Sequence, residues 1–572
     1  MKGYISMKKQ LLIIIGLCSV LCTLYSCSDK VYEELNTDPT KTETINPSFQ
    51  LAYAEKQIFG DMNYVDVHRL YTYAFTQHLM GCWNTSNYGG QHRVDDNEMA
   101  RPWNNLYTGA FRNLTDAIAR TQDDPQQTNV YAALVIFRVY VASLLTDFYG
   151  DIPYTEAGLS HLEGITQPKY DTQESIYRSF FADLKAATNR FDANANAIES
   201  DPLFEGNIDK WKTFANSLRL RFAMRISDVL PDLAKTEIEA ALADGVMSSD
   251  ADDACVIHER ISYSFGQESY KDFRGNALAK YFYGNDPANN PSYVCRTFWD
   301  QLYSTNDPRT ALLCGFYIED FMDIFSGEGR IDMTDALIAT QNENPDKKVI
   351  CPVAPGDFSW DEWPAYSNAA IAGSPLVTKI DEVKAAHPGY NPADNPRWLR
   401  PKLAKNMLRS ENPGVLMTYA EVCFLRAEAA LRFGTDNDAK TLYLDGVRAA
   451  VNFVSTHYGY DPVVEPTMTA FLAALENDFT ANADRQLEYI NTQAWILHFH
   501  NPAEAWANQR RSDFPALQAP TGKNNALIDG PDIPVRLCYP LKEGTYNNDA
   551  YQEAKNRVTN YNWNARVWWD TK

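Results

Sequence analysis

Apolar residues recur at helical spacing over much of this chain, and that periodicity narrows its architecture more than any other feature. Trp103, Leu106, Tyr107, Ala110, Phe111 and Leu114 share one face, and the pattern resumes from Tyr131 through Phe148. Between residues 102 and 228 these runs read as antiparallel helix pairs. Trp211, Phe214, Ala215, Leu218, Phe222 and Ile226 make one stripe, with Lys212, Arg219, Arg221 and Arg225 mostly off it and Asn207 or Asp209 placed to cap. A second helical block spans residues 416 to 458 and turns at Gly434-Thr435-Asp436-Asn437-Asp438; a third covers 467–511. Ala427, Ala429 and Ala430 at buried positions give these pairs a tetratricopeptide-like look, without a clean repeat of about 34 residues. The expected fold is mainly α, with tetratricopeptide-like helix pairs as scaffold, long irregular aromatic-rich loops and little β. Residues 250–401 and 515–561, rich in Gly, Pro, Asn and aromatics, supply those loops.

The first residues read as an address. Lys8-Lys9 precedes the apolar run Leu11 to Leu17, and Leu24-Tyr25-Ser26-Cys27 follows. The run is shorter than the roughly 20 apolar residues a spanning helix needs. A Leu-x-Ser-Cys ending resembles the bacterial lipobox, so residues 1–26 are expected to be a lipoprotein signal peptide. Residues 27–40 are then a tether whose acylated Cys27 anchors it in a lipid bilayer, and 41–572 one helical domain. An ordinary signal peptide with a chance cysteine is the alternative. The acidic residues after Cys27 resemble signals that send lipoproteins to the cell exterior.

Loss of Lys2, Lys8 and Lys9 with the signal takes the formal charge from -22 to about -25, which argues against nucleic acid as a partner. The simplest reading of that charge is solubility. Of ten cysteines, Cys18 and Cys22 leave with the signal and Cys27 carries lipid. The remaining seven show no C-x-x-C pair, so neither a zinc site nor a disulfide framework is expected and most should be buried thiols.

Several stretches resemble the SusD/RagB-like family of nutrient-binding outer-membrane lipoproteins, named for the starch-utilisation system. They begin with Glu33-Glu34-Leu35-Asn36-Thr37-Asp38-Pro39, Tyr149-Gly150-Asp151-Ile152-Pro153-Tyr154 and Trp211 through Arg221. They continue with Asn306-Asp307-Pro308-Arg309, Tyr419-Ala420-Glu421-Val422, Leu425-Arg426-Ala427-Glu428-Ala429, Glu504-Ala505-Trp506, Arg510-Arg511 and Pro534 through Pro540. The resemblance implies an α-rich scaffold and no catalysis, and no motif in the sequence calls for a cofactor or marks a metal-ligand set. It implies an oligosaccharide ligand, or a peptide in some relatives, and a SusC-like TonB-dependent barrel transporter over whose mouth the lipoprotein sits as a hinged lid. The motifs themselves read as turns and buried ion-pair partners of the scaffold.

Sugars present flat C–H faces and a rim of hydroxyls, so a sugar site needs exposed aromatic rings beside hydrogen-bonding side chains. Two loops have that composition. In residues 81–93, Trp83, Asn84, Asn87 and Tyr88 lie among glycines with no helical or strand pattern to bury the rings. In 357–368, Trp360, Trp363 and Tyr366 lie beside Asp361 and Glu362. In each loop the rings could instead pack against their own segment. Trp398 is a weaker third candidate, and Trp568-Trp569 reads as a cap docking the chain end. Adjacent acids such as Asp361 and Glu362 point to opposite faces of an extended segment and make poor glycosidase evidence. His498-Phe499-His500 ends a helical run without an evident carboxylate-rich ligand set, so core or surface histidines are expected there. No G-x-S-x-G, H-E-x-x-H or phosphate-cradling motif is present.

Overall fold

The structure, a computed structural model, describes residues 45–81, 86–90, 92–261, 272–283, 292–318, 331–343, 372–386, 388, 401–435, 438–517 and 533–571. The chain divides into two units after Asn46, the second spanning residues 47–572. Its long helices are α1 (Pro47–Gly60), α2 (Arg112–Thr121), α3 (Thr128–Tyr149), α4 (Gln173–Thr188), α5 (Ile208–Arg225) and α6 (Pro231–Asp244). They continue as α7 (Tyr419–Phe433), α8 (Ala439–His457), α9 (Glu465–Ala481), α10 (Gln486–Leu497), α11 (Pro502–Ser512) and α12 (Asn548–Asn556). The expected mainly helical fold is what the protein adopts.

Helix α3 is the central post, packing on α1, α2, α4 and α5. It is long and apolar enough to cross a membrane, yet 83% of its apolar window is buried in the protein, so its hydrophobicity serves the core. Asn207 caps α5 by accepting from the Asp209 and Lys210 amides at 3.0 and 3.1 Å. The expected apolar stripe is there, but the arginines placed off it are not solvated. Arg219, Arg221 and Arg225 are all buried, because α5 is covered on every side from Phe214 onward. Arg219 pairs with Glu237 and Asp244 of α6 at 3.0 and 2.6 Å. Arg221 grips Glu421 of α7 through two bonds of 2.6 and 2.7 Å, and Arg225 reaches Glu504 of α11 at 2.6 Å.

Helices α7 and α8 pack along one another. Gly434 ends α7 in the left-handed region at φ 64°, and the Asp438 side chain caps α8 through the Lys440 amide. Ala427, Phe424, Val447, Phe471 and Phe479 make a satellite core between α7, α8, α9 and α10, while Ala429 faces the main core. Among the described residues, strand is confined to short antiparallel pairs. One of them, Leu79–Gly81 against Ser292–Val294, matters for the site.

Two regions depart from expectation. The stretch read as loop between 250 and 401 contains Ala277–Tyr283, Arg296–Ser304, Thr334–Glu343 and Pro375–Ala386 as helices, and α12 lies in the second loop region. These elements are short, and tertiary burial of Phe298, Trp299 and Leu302 holds one of them more than any long periodic run.

Candidate functional site

Three of the family-like motifs, Tyr149 to Tyr154, Glu504 to Arg511 and Pro534 to Pro540, far apart in sequence, pack into one knot at the end of α3. The Leu537 amide donates to the Phe148 carbonyl at 2.8 Å and the Tyr539 hydroxyl to the Asp151 carbonyl at 2.8 Å. The Trp506 indole donates to the Pro534 carbonyl at 3.1 Å, and Arg510, stacked on Trp506, donates to the carbonyls of Asp147 and Val535. The Trp569 indole closes the knot by donating to Asp147 at 2.9 Å, which makes the terminal tryptophan the expected docking cap. These residues hold the scaffold, as the sequence indicated.

One rim of that knot carries the first aromatic loop. Gly81 ends a strand paired with Ser292, and Ser86–Gly90 forms a π-helical turn, so the loop is tethered at both ends. Gly89 docks the turn: a Cβ there would lie 2.4 Å from the Leu70 carbonyl oxygen and 2.8 Å from Ala74 Cβ. Tyr88 is half-buried, its ring 5.9 Å from that of Tyr71 and 5.8 Å from the Arg93 guanidinium. Asn87 sits in the same turn. Trp83 and Asn84 lie outside the described residues, as do Trp360, Trp363 and Tyr366, Trp398, and Cys27 with the whole of residues 1–40.

Next to this turn opens a cleft of about 350 Å³ that local sequence reading did not find. Its walls come from residues 94–99 and 538–564, including Val94, Asp96, Leu541, Tyr551, Lys555 and Tyr561. Asp96 accepts from the Leu541 amide at 2.8 Å, tying the two walls together. Tyr561 stacks on Tyr539 at 5.2 Å and accepts from its amide at 2.5 Å. The buried Arg536 guanidinium lies against both rings at 4.7 and 5.2 Å. Trp563 backs the cleft and meets His92 edge-on at 6.1 Å, so turn and cleft share a wall. Burial lowers the His92 pKa to about 4, which keeps this imidazole neutral at pH 7.

The histidine pair that follows α10 is in the core, one of the two placements expected, and carboxylates of α7 and α11 lie beside His498. His498 lies 3.4 Å from Glu421, and Glu504 completes a buried trio whose ligand atoms fall within 4.8 Å of one another. Two guanidiniums already occupy those carboxylates: Arg221 holds Glu421 and stands 3.7 Å from Glu504, which Arg225 also grips. A divalent cation would have to displace both, so the cluster reads as an internal ion-pair network. Burial alone would raise the Glu421 pKa, but the Arg221 guanidinium and the adjacent His498 hold it below the usual carboxylate range. Among the described residues, Cys255, Cys295, Cys314, Cys423 and Cys538 are free thiols, and Cys82 and Cys351 lie outside them.

Paired helices around a buried charge network, with an aromatic turn and an open cleft on one rim, describe a ligand-holding scaffold. The family profile described as starch-binding and associating with the outer membrane matches residues 39–323 and 378–540, and the chain belongs to this SusD-like family. A solved Bacteroidetes AC2a SusD-like protein is 68% identical, with a TM-score of 0.87 over 92% of this chain and 100% of its own. A chitin-binding protein is 30% identical, with a TM-score of 0.72 over the same 92% and 100%. A SusD homologue from Bacteroides vulgatus, 22% identical with a TM-score of 0.67 over 92% and 97%, shares the fold. No curated protein matches the chain at the same stringency.

Proposed function

We propose that this protein is a lipid-anchored receptor on the outer face of the outer membrane. It binds an oligosaccharide and hands it, as a hinged lid, to a SusC-like TonB-dependent transporter, without chemically altering it. The family match over residues 39–323 and 378–540 carries this reading. The chitin-binding relative supports a glycan ligand, and the lipobox-like ending at Cys27 supports the anchor. In this reading the tethered loop presents Trp83 to a pyranose face, with Asn84, Asn87 and Tyr88 beside it. Trp360, Trp363 and Tyr366 supply a second platform.

Titration calorimetry of the mature protein against neutral and acidic oligosaccharides, with a peptide library alongside, tests the reading. Binding of at least one glycan without release of shorter products is expected. Peptides binding while every glycan fails would overturn it, as would glycan hydrolysis by the purified protein. Trp83→Ala should weaken glycan binding by about tenfold, some 1.4 kcal/mol. Its thermal melt should stay nearly that of the parent, since surface changes usually stay within about 0.5 kcal/mol. A large drop in the melt would place the ring in the core instead.

A further inference from the structure

Lys555 projects from α12 into the wall of the cleft, with its ammonium 4.9 Å from the Tyr551 ring centre and 5.3 Å from that of Tyr561. Its hydrogen bond, to the Tyr551 hydroxyl, is long at 3.4 Å. Among the described residues no carboxylate comes within ion-pair distance of it. Its nearest acidic neighbour in sequence, Glu553, is taken by Arg557 at 2.8 Å. In a chain of formal charge -22, a half-buried lysine left to two aromatic rings stands out.

The rest of the cleft defines what would complete it. Val94 and Leu541 are 53% and 65% exposed and form an apolar rim, while the Tyr561 ring lines the interior. Asp96 keeps one carboxylate oxygen on the Leu541 amide and has the other for a hydroxyl donor. Asn562 adds an amide at the edge. The volume of about 350 Å³ lies at the lower end of the ~300–1,000 Å³ usual for small-ligand pockets.

We propose that this cleft is a binding site for a hexuronic acid residue. Lys555 takes the sugar carboxylate, Asp96 and Asn562 take ring hydroxyls, and the Tyr561 and Leu541 side chains cover a C–H face of the pyranose. A carboxylate is the partner that gives the ammonium a short charge-assisted bond, and the polar rim selects a hydroxylated ring over a bare aliphatic acid. The inference rests on the receptor reading in its choice of a sugar, and it places a second, charge-selective contact beside the aromatic loop.

The test is saturation-transfer NMR and calorimetry on the mature protein with methyl glucuronide, methyl glucoside and propionate as probes. Methyl glucuronide should bind at least about tenfold tighter than the other two, and more weakly as ionic strength rises. Lys555→Met should abolish that preference with an unchanged melt, and Lys555→Arg should keep it. Equal affinity for glucuronide and glucoside, equal affinity for propionate, or an unaltered preference in Lys555→Met would overturn the assignment. Neutral oligosaccharides binding while the glucuronide preference fails would sink this site alone. A panel in which no oligosaccharide binds would sink the receptor reading, and the Lys555 variants would still decide the cleft.

Discussion

Glu55 of α1 is wholly buried, and it lies against Asp201, whose two oxygens accept from the amides of Leu203, Phe204 and Gly206 and from the Trp211 indole. Burial, and then the Asp201 charge, push the Glu55 pKa well above its ordinary 4.5, with Lys56 opposing weakly. The folded state therefore keeps a proton that the unfolded chain releases once pH exceeds 4.5. A raised acid pKa of this kind gives stability that is complete below that value and lost as pH rises toward the folded pKa. Glu55→Gln supplies a neutral side chain of the same shape. It should raise the melting temperature by a few degrees at pH 7 to 8 and leave it about equal to wild type near pH 4, as followed by calorimetry. A lower melt for the variant at pH 8 would mean that the carboxylate is ionised and paired. At this scale little was legible beforehand: a glutamate inside a helix gives no sign that its neighbour in space is an aspartate from another segment.

Elements were more legible than residues. The helices from Arg112 to Arg225 and from Tyr419 to Ser512 announce themselves because each has an apolar face long enough to show a period. The short helices between 277 and 386 do not, since about two turns of helix are stable only when packed. The helical start of the domain, α1, is masked in sequence by the buried polar residues Ser48, Gln50, Glu55 and Gln57 that interrupt its apolar period. The cleft was illegible for a different reason, because its walls come from residues 94–99 and 538–564 and no window of sequence spans both. The 81–93 loop was found from composition, but its tethering was not. Gly89→Ala tests that tethering: the new methyl would press on the Leu70 carbonyl, and the turn must lift. Overpacking of this sort costs about 1–3 kcal/mol, so a lower melt is expected, together with weaker glycan binding through the displaced loop. A melt and an affinity both equal to wild type would show that the turn is free to shift and does not frame the site.

Over the whole molecule, the helix pairs are joined by charge as well as by apolar packing. Glu428 of α7 lies within bonding distance of Arg511 of α11 at 2.6 and 2.7 Å, with Asn491 of α10 donating at 3.2 Å and Arg432 adding a second cation. Burial would raise the Glu428 pKa, yet Arg511 and its neighbours bring it down from 4.5 to about 2. A lowered carboxylate pKa gives stability that is present above the unfolded value of 4.5 and lost as pH falls through about 2. At about 1.4 kcal/mol per pH unit this single group is worth about 3 kcal/mol across that window. Glu421, held by Arg221, adds to the same slope. Denaturant titrations from pH 5 to pH 2 should therefore show stability falling steeply, with α7 and α11 separating as the pairs protonate. Glu428→Gln should already be about 3–5 kcal/mol less stable at pH 7, because it leaves Arg511 buried without its charge partner, and its stability should fall less steeply below pH 4.5. If the variant keeps the wild-type slope, the acid sensitivity arises elsewhere and the Glu428–Arg511 pair does not carry it.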